Sequence, residues 1–193
     1  MTAEPLLFPL FLKLSLRKVL VVGAGPVAAS KLLTLEGTGA RVTVVAPAAC
    51  DGVAQAEAEG RVRLLRRAFE PADLSGAWLV IAAATPEVNR AVAAAAGERC
   101  VFVNAVDDPA PASAYAGGVV RRAGVTVAIS TAGKAPALAG LLREALDGLL
   151  PVELGAWIAQ AATLRAQHKA DGVPLAARRP LLLRALNRLY GEP

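Results

Sequence analysis

The stretch that most constrains this chain is VLVVGAGPVAASK, Val19 to Lys31, where an apolar run leads directly into Gly23-Ala24-Gly25 and Ala28 completes a G-x-G-x-x-A pattern. A short apolar run reads as a doubly buried strand, and the proline after the glycines suits the first turn of a helix. In such a strand–turn–helix the first glycine permits the tight turn and the second lets backbone approach a pyrophosphate. The third small residue lets helix pack on sheet. Free N–H groups at the helix start then face the phosphates. The pattern points to a dinucleotide-binding fold; a turn that is glycine-rich only for packing is the alternative.

The residues around the turn support an α/β reading. Apolar runs at 42–45, 77–83 and 101–103, with a weaker one at 61–65, alternate with helix-like stretches at 26–36 and 86–96. Each helix-like stretch has Pro at its start and Gly just past its end, the asymmetry expected of helix termini. Strands alternating with helices give parallel βαβ units, so a Rossmann-type parallel sheet is expected. One feature of such folds is missing. Where an acid would bind the ribose hydroxyls, the second strand ends in Val45-Ala46-Pro47, and Asp51 is the nearest carboxylate. The choice between NAD and NADP stays open, with backbone contacts at Pro47 and Ala48 as the alternative to an acid. The candidate cofactor contacts are Gly23, Gly25, Pro26, Val27, Pro47 and Ala48, with Ala84 and Thr85 at the small-residue end of a later strand.

After Pro111 the pattern changes. Two β-prone stretches, 115–120 and 125–129, flank RRAG and read as a hairpin. Leu138, Leu141, Leu142, Leu146 and Leu149 then recur at helical spacing up to Pro151, and a helical tail follows, broken near DGVP. With 55% hydrophobic but only 4% aromatic residues, the core must be built from Ala, Val and Leu. No apolar run reaches the roughly 18 residues of a spanning helix, and the N-terminal stretch lacks the features of an export signal. Cys50 and Cys100 match no metal-ligand spacing and read as reduced packing residues, which suits a cytoplasmic protein. The net charge is +5, and the tail from Gln160 onward carries six Lys or Arg against two acids. Such a tail attracts nucleic acid, a membrane or a polyanionic small molecule, or is simply a solvated helix face.

VFVNAVDDP places Asn104, Asp107 and Asp108 just beyond a strand, at the carboxyl edge where open α/β sheets bind ligands. Loop-forming Asn and Asp before a proline are the plain alternative. Taken in order, FPLFLKL, KVLVVGAGPVAASK, GARVTVVAP, AWLVIAAATPEVNRAV, VFVNAVDDP and VTVAISTAGKAPALAGLLREALDGLLP resemble the precorrin-2 dehydrogenase family, the NAD-dependent module of siroheme synthase. The resemblance runs from Phe8 to about Leu164.

It implies NAD as cofactor, oxidation of precorrin-2 to sirohydrochlorin for siroheme or cobalamin, and a homodimer. It also implies a nucleotide-binding domain at 1–112, a dimerisation element at 113–150 and a helical domain at 151–193. Asp107 is the implied catalytic residue; Asn104, Ser130, Thr131 and Gly133 are the implied substrate contacts. A carboxylate beside the nicotinamide can accept the proton released as hydride departs. Thr131 reads equally well as a helix cap. Members of the family often also insert Fe²⁺ into sirohydrochlorin, an activity left open here because the chain has no paired metal ligands and its one histidine, His168, lies in the tail. The substrate's carboxylates give the surplus positive charge a purpose. No methyltransferase domain follows, so a free-standing form is expected, with uroporphyrinogen methylated elsewhere.

Three positions depart from the family pattern: Ala135 stands for a serine, Gly117 for a proline, and Arg121 for a common acid. The competing reading is a nucleotide-binding regulatory module without catalysis. A basic nucleic-acid-binding tail on such a domain has no motif behind it, and neither nucleic acid nor membrane is expected as a partner.

Overall fold

The computed structural model describes residues 6–106, 108 and 110–188. The chain forms two compact units, Met1–Ala116 with Ala132–Lys134, and Gly117–Thr131 with Ala135–Pro193.

In the first unit the elements are β1 (Lys18–Val22), α1 (Pro26–Leu35), β2 (Arg41–Val45), α2 (Asp51–Ala58), β3 (Arg63–Leu65), a 3-10 turn (Pro71–Leu74), β4 (Ala77–Ala82), α3 (Pro86–Gly97) and β5 (Phe102–Ala105). The strands form one parallel sheet in the order β3-β2-β1-β4-β5, as the βαβ alternation requires. Alternate side chains feed two cores. Val21, Val44 and Ile81 pack with Ala28, Leu32, Val53 and Ala56 of α1 and α2. On the opposite face Leu20, Val22, Val45 and Val80 pack with Leu74, Val92 and Ala96. Small alanines on the helices let them sit close to the β-branched strands.

Helix α2 has no counterpart among the sequence expectations. Its only buried residues are Val53 and Ala56, too few to mark a helical period. Gly52 in its first turn has a packing reason, since a Cβ there would come within 3.2 Å of the Ala29 Cβ on α1. Cys100 also differs from expectation. It is an exposed free thiol with φ +54°, at a turn rather than in the core.

Asp73, 8% exposed, is the one charged side chain buried among the described residues. Arg67 grips it with two hydrogen bonds of 2.8 and 2.5 Å, and the Glu70 backbone N–H donates to it at 2.9 Å. Lys18 Nζ donates to the Asp73 and Ser75 carbonyls at 2.7 and 2.9 Å, tying the 3-10 turn to the start of β1. The Arg67 hydrogen bonds, helped by the Glu70 N–H and against the cost of burial, hold the Asp73 carboxyl below the usual aspartate range.

The second unit contains β6 (Gly118–Arg122), β7 (Val125–Ile129), α4 (Pro136–Leu149), α5 (Leu154–Ala170) and α6 (Leu175–Asn187). β6 and β7 pair as the expected antiparallel hairpin, turning at Ala123 and Gly124, both with positive φ as a two-residue hairpin loop requires. The departure at Gly117 has a steric cause. A Cβ there would lie 1.8 Å from the Ile129 carbonyl oxygen, so neither proline nor any other side chain fits.

Helix α4 forms as its periodicity predicts, but its leucine stripe is not what it buries. Ala139 is the buried residue, and α4 lies so close to β6 that a Cβ on Gly118 would be 2.9 Å from the Ala139 carbonyl oxygen. Leu138, Leu141, Leu142 and Leu149 are exposed. Arg122 of β6 fixes the far end of the helix, donating to the Leu150 carbonyl at 2.7 Å and to Asp147 at 2.8 Å. The tail breaks at 171–174, between α5 and α6, where DGVP stands.

Candidate dinucleotide site

The sheet order reverses direction at β1, which has β2 on one side and β4 on the other. Loops leaving the carboxyl ends of these two neighbours diverge to opposite faces and open a crevice, the place where open α/β sheets bind ligands. The glycine turn sits there. Gly23 has φ +103°, and a Cβ on it would be 2.2 Å from the Ala83 carbonyl oxygen. Only glycine allows β1 and β4 to run out side by side at this point. The Gly23 N–H donates to the Val45 carbonyl at 2.9 Å, and the Ala83 N–H donates to the Val22 carbonyl at 2.8 Å, so three strand ends are laced together.

Gly25 caps α1 in an extended conformation, and no side chain caps the helix. Pro26 has no N–H to satisfy, and the N–H groups of Val27 and Ala28 precede the first intrahelical bond, which Ala29 donates to the Gly25 carbonyl at 3.0 Å. A Cβ on Gly25 would meet nothing within 4 Å. Bare backbone with unused donors therefore faces open space, as a pyrophosphate requires. Ala28 is fully buried and takes the packing role of the third small residue. The residues present fit a dinucleotide.

The remaining sequence candidates fall as follows. Pro47 and Ala48 are exposed in the bend after β2, and the Cys50 N–H anchors this bend to the Ala24 carbonyl at 2.9 Å, beside the glycine turn. Ala84 and Thr85 follow β4. Thr85 precedes α3, and its hydroxyl is engaged with Glu87, whose carboxyl is held below the usual range mainly by its own backbone N–H and next by Thr85.

Asn89 is the residue that sequence reasoning missed. It is buried, and its Oδ1 accepts the Ala84 N–H at 2.9 Å, holding the loop after β4 in place. A polar residue on the apolar face of an alanine-rich helix was the available signal.

Asn104 lies in β5, register partner of Ile81 in β4. Its Nδ2 donates to the Ala114 carbonyl at 3.0 Å, while its buried Oδ1 has no partner among the described residues. The Val103 N–H donates to Ser113 Oγ at 2.8 Å, and the Ser113 and Ala114 N–H groups both donate to the Val103 carbonyl. The segment between is thus closed at its base. Asp107 lies outside the described residues; the chain enters that segment with the Val106 N–H on the Ala82 carbonyl, at the carboxyl end of the sheet. Ser130 and Thr131 follow β7 in the second unit, and Gly133 is at a positive-φ turn position in the segment grouped with the first. Thr131 Oγ1 accepts the N–H of Ala135, the N-cap of α4, at 3.2 Å. Thr131 is therefore not the N-cap expected as the alternative: that position is Ala135, with no side-chain cap, and Thr131 instead holds the backbone leading into α4.

Sheet order, turn geometry and the uncapped helix start together define a Rossmann-type dinucleotide-binding protein. The family model described as "Putative NAD(P)-binding" matches residues 10–118, and the chain belongs to that family. Over 180 residues, 93% of its length, the chain is 44% identical to siroheme synthase 1 of Aeromonas salmonicida, and over 158 residues, 81% of its length, it is 46% identical to the siroheme synthase of Methylobacillus flagellatus. It spans 38% and 34% of the length of these two relatives. Among solved structures, one titled "SirC, precorrin-2 dehydrogenase" shares the fold, with a TM-score of 0.69 at 23% identity over 92% of this chain and 88% of that one. No helix among the described residues is long and apolar enough to cross a membrane.

Proposed function

We propose that the chain is an NAD-dependent precorrin-2 dehydrogenase that supplies sirohydrochlorin for siroheme. The observation that carries this reading is a dinucleotide turn within a chain that is 44% identical to a siroheme synthase along 93% of its length. When bound, NAD supplies a hydride acceptor. The backbone at Gly23 to Ala28 binds the pyrophosphate, and the loop held by Asn89 lines the nicotinamide side of the crevice. Asp107 takes the proton that leaves as precorrin-2 loses its hydride, a role that needs a carboxylate close to the reacting carbon. Asn104, with an unused acceptor, and Ser130, Thr131 and Gly133 make the contacts to the macrocycle. Fe²⁺ is then a second substrate, taking the macrocycle's own nitrogens as its ligands as two pyrrole N–H protons leave.

The proposal includes a homodimer in the cytoplasm, with 1–112 as the nucleotide-binding domain, 113–150 as the dimerisation element and 151–193 as the helical domain. Both β6 and β7 are edge strands within the chain, and Leu138, Leu141, Leu142 and Leu149 of α4 are exposed. These are features that pairing with a second copy accounts for.

The test is turnover of enzymatically generated precorrin-2 with NAD⁺, followed by absorption, and then addition of Fe²⁺. Wild type converts the substrate, whereas Asp107→Ala loses at least about a hundredfold in rate, the scale of a lost general base, and still binds NAD⁺. Normal turnover by Asp107→Ala removes the role given to that carboxylate. NAD⁺ binding without any turnover by wild type instead favours the regulatory module.

A further inference from the structure

The sheet of the first unit has a second concave place, at the end opposite the glycine turn. A cavity of about 680 Å³ lies over the amino ends of β1, β2 and β3, lined on one face by Lys18, Leu20, Arg41, Thr43, Arg63 and Leu65. Lys18 and Gly23 are five residues apart along a strand, roughly 16 Å, so this cavity is separate from the dinucleotide crevice. Its volume falls within the range of small-molecule sites.

The charges there are unbalanced. Arg61 on the rim pairs with both Glu36 and Glu59, at 2.9 and 2.5 Å, which leaves one negative charge there against the cations that follow. Lys18 donates to two carbonyls, and the nearby Asp73 carboxylate is already held by Arg67, which leaves one of these three charges uncompensated. The guanidinium groups of Arg41 and Arg63 make no hydrogen bond or ion pair with any described residue, and neither does the Thr43 hydroxyl on the floor beside Leu20. Thr43 is the register partner of Arg63, and Arg41 lies two residues before it on the same face. The two guanidinium-bearing positions are therefore about 8 Å apart.

We propose that this cavity binds a small organic polyanion, with two acidic groups, phosphates or carboxylates, borne on an apolar body. Each free guanidinium takes one acidic group through paired N–H donors, Thr43 adds a hydrogen bond, and the half-buried Leu65 accepts the body. The proposal does not depend on the reaction assigned to the crevice.

The experiment uses the full chain in saturating NAD⁺, which fills the glycine turn, and titrates ADP and benzene-1,3,5-tricarboxylate separately by calorimetry. Saturable 1:1 binding is expected in at least one arm, and the responding arm tells phosphate from carboxylate. Affinity is expected to fall at least tenfold in Arg41→Ser/Arg63→Ser and by less in Arg41→Lys/Arg63→Lys, which keeps the charge but loses the planar fork. NAD⁺ affinity and melting temperature, measured on each variant, report the fold independently. Absence of binding in both arms, or equal affinity in wild type and the serine variant, overturns the proposal.

Discussion

The two units treat their strands differently. In the first, β1 is covered by helices on both faces and Val19 to Val22 are essentially inaccessible to solvent. In the second, β7 has no buried residue, and the helix beside the hairpin buries one alanine while four of its five leucines stay exposed. Buried apolar area is the dominant stabilising term in folding. The central strands of the five-stranded sheet therefore bury their apolar side chains within the unit, although the segment before β1 leaves Leu6, Phe8 and Phe11 exposed, while the hairpin and α4 leave most of theirs available.

The sharpest way to separate the units is through their constrained glycines. Gly23→Ala is expected to cost about 3 kcal/mol or more, because the new methyl meets strand backbone in a left-handed conformation, and to abolish NAD⁺ binding. Thermal denaturation with an NAD⁺ titration reads both effects. Gly25→Ala has room for its methyl, so it keeps the melting temperature and weakens NAD⁺ alone. Equal destabilisation by the two variants would break the account of the turn.

Gly117→Ala probes the other unit. Its clash with the Ile129 carbonyl should cost about 1–3 kcal/mol by prising the hairpin apart. NAD⁺ affinity should stay within about twofold of wild type while the dimer weakens, as ultracentrifugation can show.

Asp73→Ala comes next, at about 1–2 kcal/mol near pH 7, discounted because Arg67 is partly exposed. The folded carboxyl titrates below its unfolded value of about 3.9, so its contribution is full above that value and disappears as pH falls through the folded one. Urea denaturation should show a difference between wild type and variant at pH 7 that shrinks towards pH 3. A difference that persists in acid would assign the stability to packing instead of the ion pair.

The smallest effect on the folded chain belongs to Leu141→Glu. Leu141 is 64% exposed, so the change should fall within about 0.5 kcal/mol for the monomer. It should nonetheless dissociate a dimer that uses α4. An unaltered dimer would move the interface elsewhere.

How legible each part was in the sequence follows the same contrast. Mostly buried strands appear as largely apolar runs, so the 19–22, 42–45, 77–83 and 101–103 stretches anticipate the sheet closely even though Thr43 interrupts one and Trp78 and Phe102 are exposed. The glycine turn was readable because each small residue has its own steric reason. Helix α2 was not, since two small apolar contacts carry no period. The leucines of α4 gave the helix correctly but not its buried side, because periodicity marks an apolar face without saying what covers it. Asn89 could not be assigned from spacing, as its partner is a backbone N–H. Directly after Val45, where the sequence has no acid, the structure has the exposed bend at Pro47 and Ala48, and Asp51 follows at the start of α2.

The clasp at the base of the segment after β5 has one more consequence. Four hydrogen bonds join Val103 and Asn104 to Ser113 and Ala114. Loop closure depends only weakly on length, so the anchoring of β5 at this end rests on these four bonds, on Ala105 in the strand and on the Val106 N–H to the Ala82 carbonyl, more than on the number of residues that follow before Ser113.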